Sequence, residues 1–294
     1  MRSFPGSAGS SSSSRPRASA DAARVGRDGT LALGFERRGA ATVLRRVRYT
    51  LPLQVLAPVA LDDPACVVSV LNPTGGLVGG DRLTIEADVG PGAHALLTTP
   101  SASRVYRAPA EAAVQTVALR LGRAAVVEWV PDHTIPFAGS AFRQAIDCEL
   151  DDGAALLLLD AFAAGRVARG EAWRFRRLES AVTVRERRGL VFHDRFVLRD
   201  GDGAAGLGAA EGHPYFATLV VVAEAGVEAF TAAAGRVLER ARGLCGGVAA
   251  LPRRGAIVRC LAADAPALTE GLDALWAAAR REVLGLPPLP LRKP

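Results

Sequence analysis

A glycine-rich stretch between two apolar runs limits what this chain can fold into more than any other feature. Residues 72–82 read Asn-Pro-Thr-Gly-Gly-Leu-Val-Gly-Gly-Asp-Arg. Glycine is used where the backbone must take a positive φ or be approached closely, so the stretch predicts a specific loop between two strands. A Walker loop would need Lys and then Ser or Thr after its last glycine, and a dinucleotide fingerprint would need a following helix. Here Asp81 and Arg82 open an alternating strand, which excludes both phosphate-binding loops.

Short segments of alternating apolar and polar residues fill the chain from Thr30 to about Leu198. Such alternation is typical of strands with one wet face, and turns about every ten residues favour a sandwich, a barrel or a stacked-sheet solenoid. No fixed-period repeat is visible, so the sequence does not select the solenoid. The predicted strands cover residues 41–49, 65–71, 82–89, 93–98, 113–121, 124–130, 142–150, 154–159, 171–178, 182–187 and 191–198.

The pattern changes after residue 200. Two segments, 225–242 and 267–284, carry apolar residues on one helical face, whereas 216–222, 248–251 and 256–261 read as strands. We therefore predict a mainly β protein with a small helical part (α+β): a large stacked or rolled β-sheet body with two C-terminal helices. The body spans 29–200, and an α+β region, 201–294, packs on it or contributes to a partner interface.

The amino-acid composition excludes few classes of binding partner. The chain is 49% hydrophobic with a formal net charge of +6, and Lys293 is its only lysine. A basic surface can meet an acidic protein, a membrane surface or a nucleic acid. No apolar run is long enough to span a membrane. Residues 1–28, rich in Ser, Ala, Gly and Arg, lack the apolar core of a secretory signal and are predicted to be a disordered tail.

The sequence contains few motifs that are typical of nucleophilic catalysis or of metal binding. The cysteines, Cys66, Cys148, Cys245 and Cys260, are too far apart for a zinc knuckle or a redox pair, which predicts free thiols in a reducing compartment. No G-x-S-x-G elbow occurs. A carboxylate-pair hydrolase stays open on the residues alone, because β-rich folds can place two acids across a groove. Its candidates are Asp81, Glu128, Asp132, Asp160, Glu171 and Asp194.

A nucleic-acid module is the other alternative from the residues. It would need arginines and aromatic side chains on one sheet face. Residues 173–177, Trp-Arg-Phe-Arg-Arg, come nearest. Their aromatics alternate with arginine, however, so on a strand Trp173 and Phe175 would face inward and the arginines outward.

Three further dense stretches accompany the glycine-rich one: 97–107, 126–140 and 165–173. In this order the four resemble the urease accessory protein family UreD, also called UreH. Its pattern reads approximately N-P-G-G-G-L-V-G-G-D, T-T-Q-x-x-x-K-V-Y-R, E-W-x-P-x-x-x-I-P-F and G-R-x-x-x-G-E. Residues 34–198 resemble it well and the C-terminal third loosely. The matching motif positions here are Gly75, Gly76, Gly79, Gly80, Tyr106, Glu128, Trp129, Gly165 and Arg166.

The resemblance implies a cytoplasmic maturation factor and not an enzyme. UreD proteins act with UreF, UreG and the urease structural subunits, without nucleic acid or membrane, to load Ni²⁺ into urease. No cofactor stays bound, and the ion is expected to move through a water-filled passage. Carboxylate, imidazole and water all suit nickel. The resemblance implies that Asp81 and Glu171, by their motif positions, line that passage with Tyr106. It implies the same for Asp160, which stands five residues before Gly165, where the family often has an acid.

Two motif positions carry weaker expectations. Glu128 falls on the acid of the third motif, where a structural role is expected as readily as a functional one. His133 follows Asp132 where the family often has Gln-Glu. It could form a local stop for nickel, but a single loop histidine is more often simply solvated.

Overall fold

The computed structural model describes residues 27–59 and 61–291, and it shows a mainly β protein with a small helical part. Two stacked sheets form the body. The strands are β1 (Asp28–Arg38), β2 (Ala41–Tyr49), β3 (Gln54–Val55), β4 (Cys66–Leu71), β5 (Arg82–Val89), β6 (His94–Thr98), β7 (Ser103–Val105), β8 (Ala113–Leu121), β9 (Val126–Val130), β10 (Thr134–Pro136), β11 (Ala141–Leu150), β12 (Ala155–Ala163), β13 (Arg177–Glu186), β14 (Gly189–Arg199), β15 (Tyr215–Val222), β16 (Leu244–Ala250) and β17 (Ala256–Ala262).

The chain winds between the two sheets like a short solenoid, which selects one of the three architectures that the sequence allowed. Sheet 1 has the order β14-β13-β11-β8-β5-β1-β2, and sheet 2 the order β16-β17-β15-β12-β9-β6-β4-β3, with β7 and β10 joined at its side. From β4 to β13 the long strands alternate between the sheets. Within each sheet β5, β8, β11 and β13, and likewise β4, β6, β9 and β12, pair in parallel.

Tight turns repeat at one end of this solenoid. A backbone bond closes each turn, from Ala93 to Gly90, from Ala125 to Gly122 and from Ala154 to Asp151. The residue before each of these donors has positive φ: Gly92 at 65°, Ala124 at 54° and Gly153 at 72°. The turns are therefore one structural repeat, although their sequences differ enough to hide it.

Ala124 is the exception in that series, and it allows a simple test. An L side chain with left-handed backbone costs roughly 1–2 kcal/mol, so Ala124→Gly should raise the free energy of unfolding by about 1 kcal/mol in urea denaturation. Gly92→Ala, at the equivalent position, should lower it. A stability loss in Ala124→Gly would contradict this account.

Two apolar cores lie on the two faces of sheet 2. One fills the space between the sheets, and the other lies between sheet 2 and the helices α1 (Val227–Arg240) and α2 (Ala265–Ala279). All nine residues of β12 are buried. This explains its nearly continuous apolar sequence, since a strand covered on both faces needs no polar alternation. Within the described residues no helix is long and apolar enough to cross a membrane.

The structure corrects one predicted strand and adds four that were not predicted, β1, β3, β7 and β10. Residues 171–176 form a loop, and β13 begins only at Arg177, so the strand predicted over 171–178 is wrong. Trp173 has a φ of 62°, which ends the extended conformation that its alternating neighbours suggested. Strand β1 was not predicted, and it starts at Asp28. The rest of the predicted tail, 1–26, lies outside the described residues.

Candidate functional site

The four motifs come together at the solenoid end opposite the tight turns. The loops 72–81, 99–112, 131–140 and 164–176 stack there, and we call them the motif end. Backbone bonds join successive loops: Tyr106 N donates to Leu77 O at 2.8 Å, Phe137 N to Val105 O at 2.9 Å, and Gly139 N to Arg174 O at 2.8 Å. Motifs that lie far apart in sequence thus form one continuous surface.

Glycine is required in two of these loops. A Cβ on Gly76, which has a φ of 152°, would lie 2.5 Å from Arg104 O, and one on Gly165, with a φ of 144°, would lie 2.4 Å from Glu171 O. Tyr106 closes the first loop by donating its hydroxyl to Gly75 O at 3.1 Å. These motif residues shape the loops, and Gly79 and Gly80 lie in the same loop as Gly76.

Asp81 holds the glycine-rich loop at the start of β5. Its carboxylate is buried and accepts the Arg27 backbone N–H and the Val78 backbone N–H, each at 2.9 Å. One oxygen serves each donor, so both oxygens are used in positioning the backbone.

Glu171 stands at the motif end in an ion pair. Nε and Nη2 of Arg166 donate to its two oxygens, and Ala138 N also donates to it at 3.3 Å. The hydrogen bond from Arg166 is the largest cause that lowers the pKa of Glu171. Arg166 also lies over the Phe137 ring at 4.3 Å. The acid is therefore ionised at neutral pH and already neutralised by its partner.

Asp160 lies in the interior, between the sheets. Gln144 Nε2 donates to its Oδ1 at 2.9 Å and Ser180 Oγ to its Oδ2 at 2.7 Å, while Gln115 Nε2 donates to Gln144 Oε1 at 3.0 Å. Gln115, Gln144 and Ser180 occupy paired positions on β8, β11 and β13, so they form a polar row across the inner face of sheet 1. Burial is the main cause that raises the pKa of Asp160 to about 6.

Asp160 lines two cavities. One, of about 60 Å³, lies between the sheets and is also lined by Gln115, Gln144 and Thr134. The other is a cleft of about 650 Å³ that includes Asp194, Arg259 and Cys245. The polar row therefore reaches both cavities through Asp160, although the Asp160 side chain is almost fully buried.

Glu128 holds the C-terminal helices to sheet 2. It is fully buried, and its oxygens meet Arg280 Nη1 at 2.6 Å, Trp276 Nε1 at 2.6 Å and His94 Nε2 at 2.8 Å. Trp276 is itself buried in the outer core. Trp129, the next motif residue, packs in the core between the sheets. Of the two roles expected for Glu128, its contacts are those of the structural one.

His133 borders a separate groove. Its ring meets Tyr215 edge to face with centroids 5.9 Å apart, and Trp276 and Leu289 line the same groove of about 640 Å³. Among the described residues, no three His, Cys, Asp or Glu side chains converge in a way that could hold a metal ion. The structure does not gather Asp81, Asp160, Glu171 and His133 into one centre.

Several polar residues of the interior were not predicted. Gln144 occupies the same alternating set of β11 as the buried Phe142, Ile146 and Cys148. A glutamine at an apolar position of a regular strand was the available signal. At the exposed cleft, Cys245 Sγ lies 3.8 Å from His213 Nε2, and this contact had no such signal, because the two residues lie in different segments of the chain.

Residues 27–294 match the family model described as UreD urease accessory protein. The chain belongs to the UreD family. The UreD of Deinococcus radiodurans is 37% identical over 272 residues, covering 91% of this chain and 95% of that protein. The UreD of Pseudomonas fluorescens Pf0-1 is 36% identical over 271 residues, covering 89% and 92%. The resemblance drawn from the four motifs is confirmed, and in this UreD protein they build the motif end.

Proposed function

We propose that this UreD protein is a non-catalytic maturation factor in the cytoplasm, which docks on the urease apoprotein with UreF and UreG and helps deliver Ni²⁺ to its active site. Family membership supports the role in urease maturation. The observation that carries the delivery step is the polar row at Asp160. Buried carboxylates need a reason to persist in an apolar core, and a passage for a hydrated cation supplies one.

The chemistry of Asp160 suits a transient contact. With a pKa of about 6, its carboxyl can release a proton when a cation arrives and take one up again when the ion leaves. The neighbouring amide and hydroxyl groups offer further oxygen donors without fixed charge. A set of several thiolates or imidazoles would instead hold the ion tightly.

The remaining acids have supporting places in this proposal. Asp81 and Glu171 stand at the motif end, and Glu171 must open its pair with Arg166 before it can meet a cation. They would act where the ion leaves or enters the body. His133, beside its own groove, would be a further stop for the ion outside the polar row.

The described residues do not support either alternative function, a nucleic-acid-binding module or a carboxylate-dependent hydrolase. Trp173 stacks on Phe216 with an interplanar angle of 11°, and Phe175 is buried, so these aromatics are engaged in packing and do not offer bases a surface. For a hydrolase, the acid nearest in electrostatic effect to Asp160 is Asp194, which Arg259 Nη2 meets at 2.8 Å. Of the two acids among the described residues that line the cleft, Asp194 is therefore paired with an arginine, and they do not form the open carboxylate pair that a hydrolase needs.

Deleting the gene is the direct test. Urease protein should accumulate normally while its activity and nickel content fall at least tenfold at ordinary nickel supply. Within the intact complex, Asp160→Ala should lower nickel content and leave assembly unchanged, whereas Asp147→Ala, at an exposed acid on β11, should change neither nickel content nor assembly. Normal urease activity in the deletion strain would refute the assignment.

A further inference from the structure

We propose that Cys245 and His213 form a two-donor site for a borderline divalent cation at the mouth of the large cleft. Cys245, on β16, is exposed and lines the cleft that reaches Asp160, and His213 stands just before β15. The inference deepens the proposed function, since Ni²⁺ is the cation concerned. It assigns the point where the ion is first held.

The distance between the two donors fits a shared metal ion. Cys245 Sγ and His213 Nε2 are 3.8 Å apart. With a metal–sulfur bond of about 2.3 Å and a metal–nitrogen bond of about 2.0–2.1 Å, a tetrahedral ion places its two donors roughly 3.6 Å apart, and the right angles of a square-planar Ni²⁺ site place them about 3.1 Å apart. The pair is therefore near the required spacing without an ion, and small side-chain rotations complete it.

The histidine is held in the correct tautomer. Its Nδ1 lies 3.2 Å from Ala210 O, a carbonyl that can only accept, so Nδ1 carries the hydrogen. The same carbonyl accepts the His213 backbone N–H at 2.7 Å. The lone pair of Nε2 is thereby directed at the sulfur. A carbonyl behind the ring is the usual outer partner of a metal-binding histidine.

Cys245 differs from the other three thiols of the chain. Cys66, Cys148 and Cys260 are buried, and burial raises the pKa of each. Cys245 is exposed, so a cation can reach its sulfur, and binding forms one metal–sulfur bond while the thiol proton is released to solvent. With two protein donors, water fills the other positions, so the ion can leave again toward Asp160.

Alkylation of the full-length protein tests the site, with its complex partners present if they are needed for solubility. Iodoacetamide should label Cys245, and Ni²⁺ at a large molar excess should slow that labelling at least tenfold, as measured by mass spectrometry. Mg²⁺, a hard ion that prefers oxygen, should leave the rate unchanged. His213→Gln should abolish protection by Ni²⁺, whereas His193→Gln, at an exposed histidine of β14, should retain it.

Two results would overturn the site: labelling of Cys245 that Ni²⁺ does not slow, or full protection in His213→Gln. These outcomes are separate from the fate of the proposed function. If Ni²⁺ protects Cys245 and yet the deletion strain keeps active urease, the site stands and the maturation role fails. If deletion abolishes urease activity without any protection at Cys245, the role stands and the site fails.

Discussion

Replacing Arg280 with methionine should lower the free energy of unfolding by about 3–5 kcal/mol, the usual cost of leaving buried charges without their partner. The Arg280 side chain is 0% exposed. Its guanidinium bonds Glu128 Oε1 at 2.6 Å and also meets Asp63, whose side chain is 1% exposed. Methionine fills similar space but leaves both carboxylates buried without the cation between them.

The measurement is urea denaturation at neutral pH, with Arg281→Met as the matched control. Arg281 is the next residue, and 56% of its side chain is exposed, so its loss should change stability by no more than about 0.5 kcal/mol. Equal stability of the two variants at neutral pH would show that the cluster does not hold the C-terminal helices.

This cluster explains why the acid of the third motif could not be assigned from sequence. Glu128 lies next to a tryptophan in an apolar strand, which fits a catalytic acid, a passage acid or a structural one. Its partner Arg280 is 152 residues away, and nothing local predicts that contact. The amphipathic pattern of 267–284 did predict a helix with a face to bury, and Trp276 now shows that this face lies on sheet 2.

The fold was predictable wherever a single segment carries the signal. Alternation located most strands of the body, and the apolar stripes located both helices. The solenoid winding was not predictable, because it depends on which distant strands pair, as in the parallel register of Gln144 with Ser180. The alternation of residues 173–177 gave a false strand, since Trp173 is half-buried and Phe175 fully buried within a loop.

The candidate site was likewise predictable from sequence only in part. The family resemblance selected Asp160, which the structure places in the polar row. It also selected Asp81 and Glu171, whose oxygens are engaged by backbone and by Arg166. A motif records that an acid is present and not what faces it. The environment of Asp160 comes from two other strands, β11 and β13, which sequence alone does not bring beside it.

Asp160→Asn should make the protein more stable at neutral pH, an unusual direction for a substitution in a core. The folded pKa of Asp160 is about 6, against a reference of 3.8. The fold therefore favours the protonated acid. Stability falls as the pH rises from about 4 to about 6, and above that range the loss reaches about 3 kcal/mol. Asparagine carries no charge, so the variant should not suffer this loss.

The difference in unfolding free energy between Asp160→Asn and the unmodified protein should thus be small near pH 4 and grow to between about 1 and 3 kcal/mol by pH 7, less any cost of rearranging hydrogen bonds. Asparagine can keep its bond from Gln144 and donate to Ser180. Subtracting the two curves cancels the other carboxylates, and Asp147→Asn should give a flat difference. A variant that is less stable at pH 7 would show that the ionised acid is well accommodated.

Asp160→Asn should also deliver less nickel, because a neutral amide cannot exchange a proton for a cation. If the variant is more stable and yet loads urease poorly, the ionised Asp160 destabilises the fold and is kept for its function.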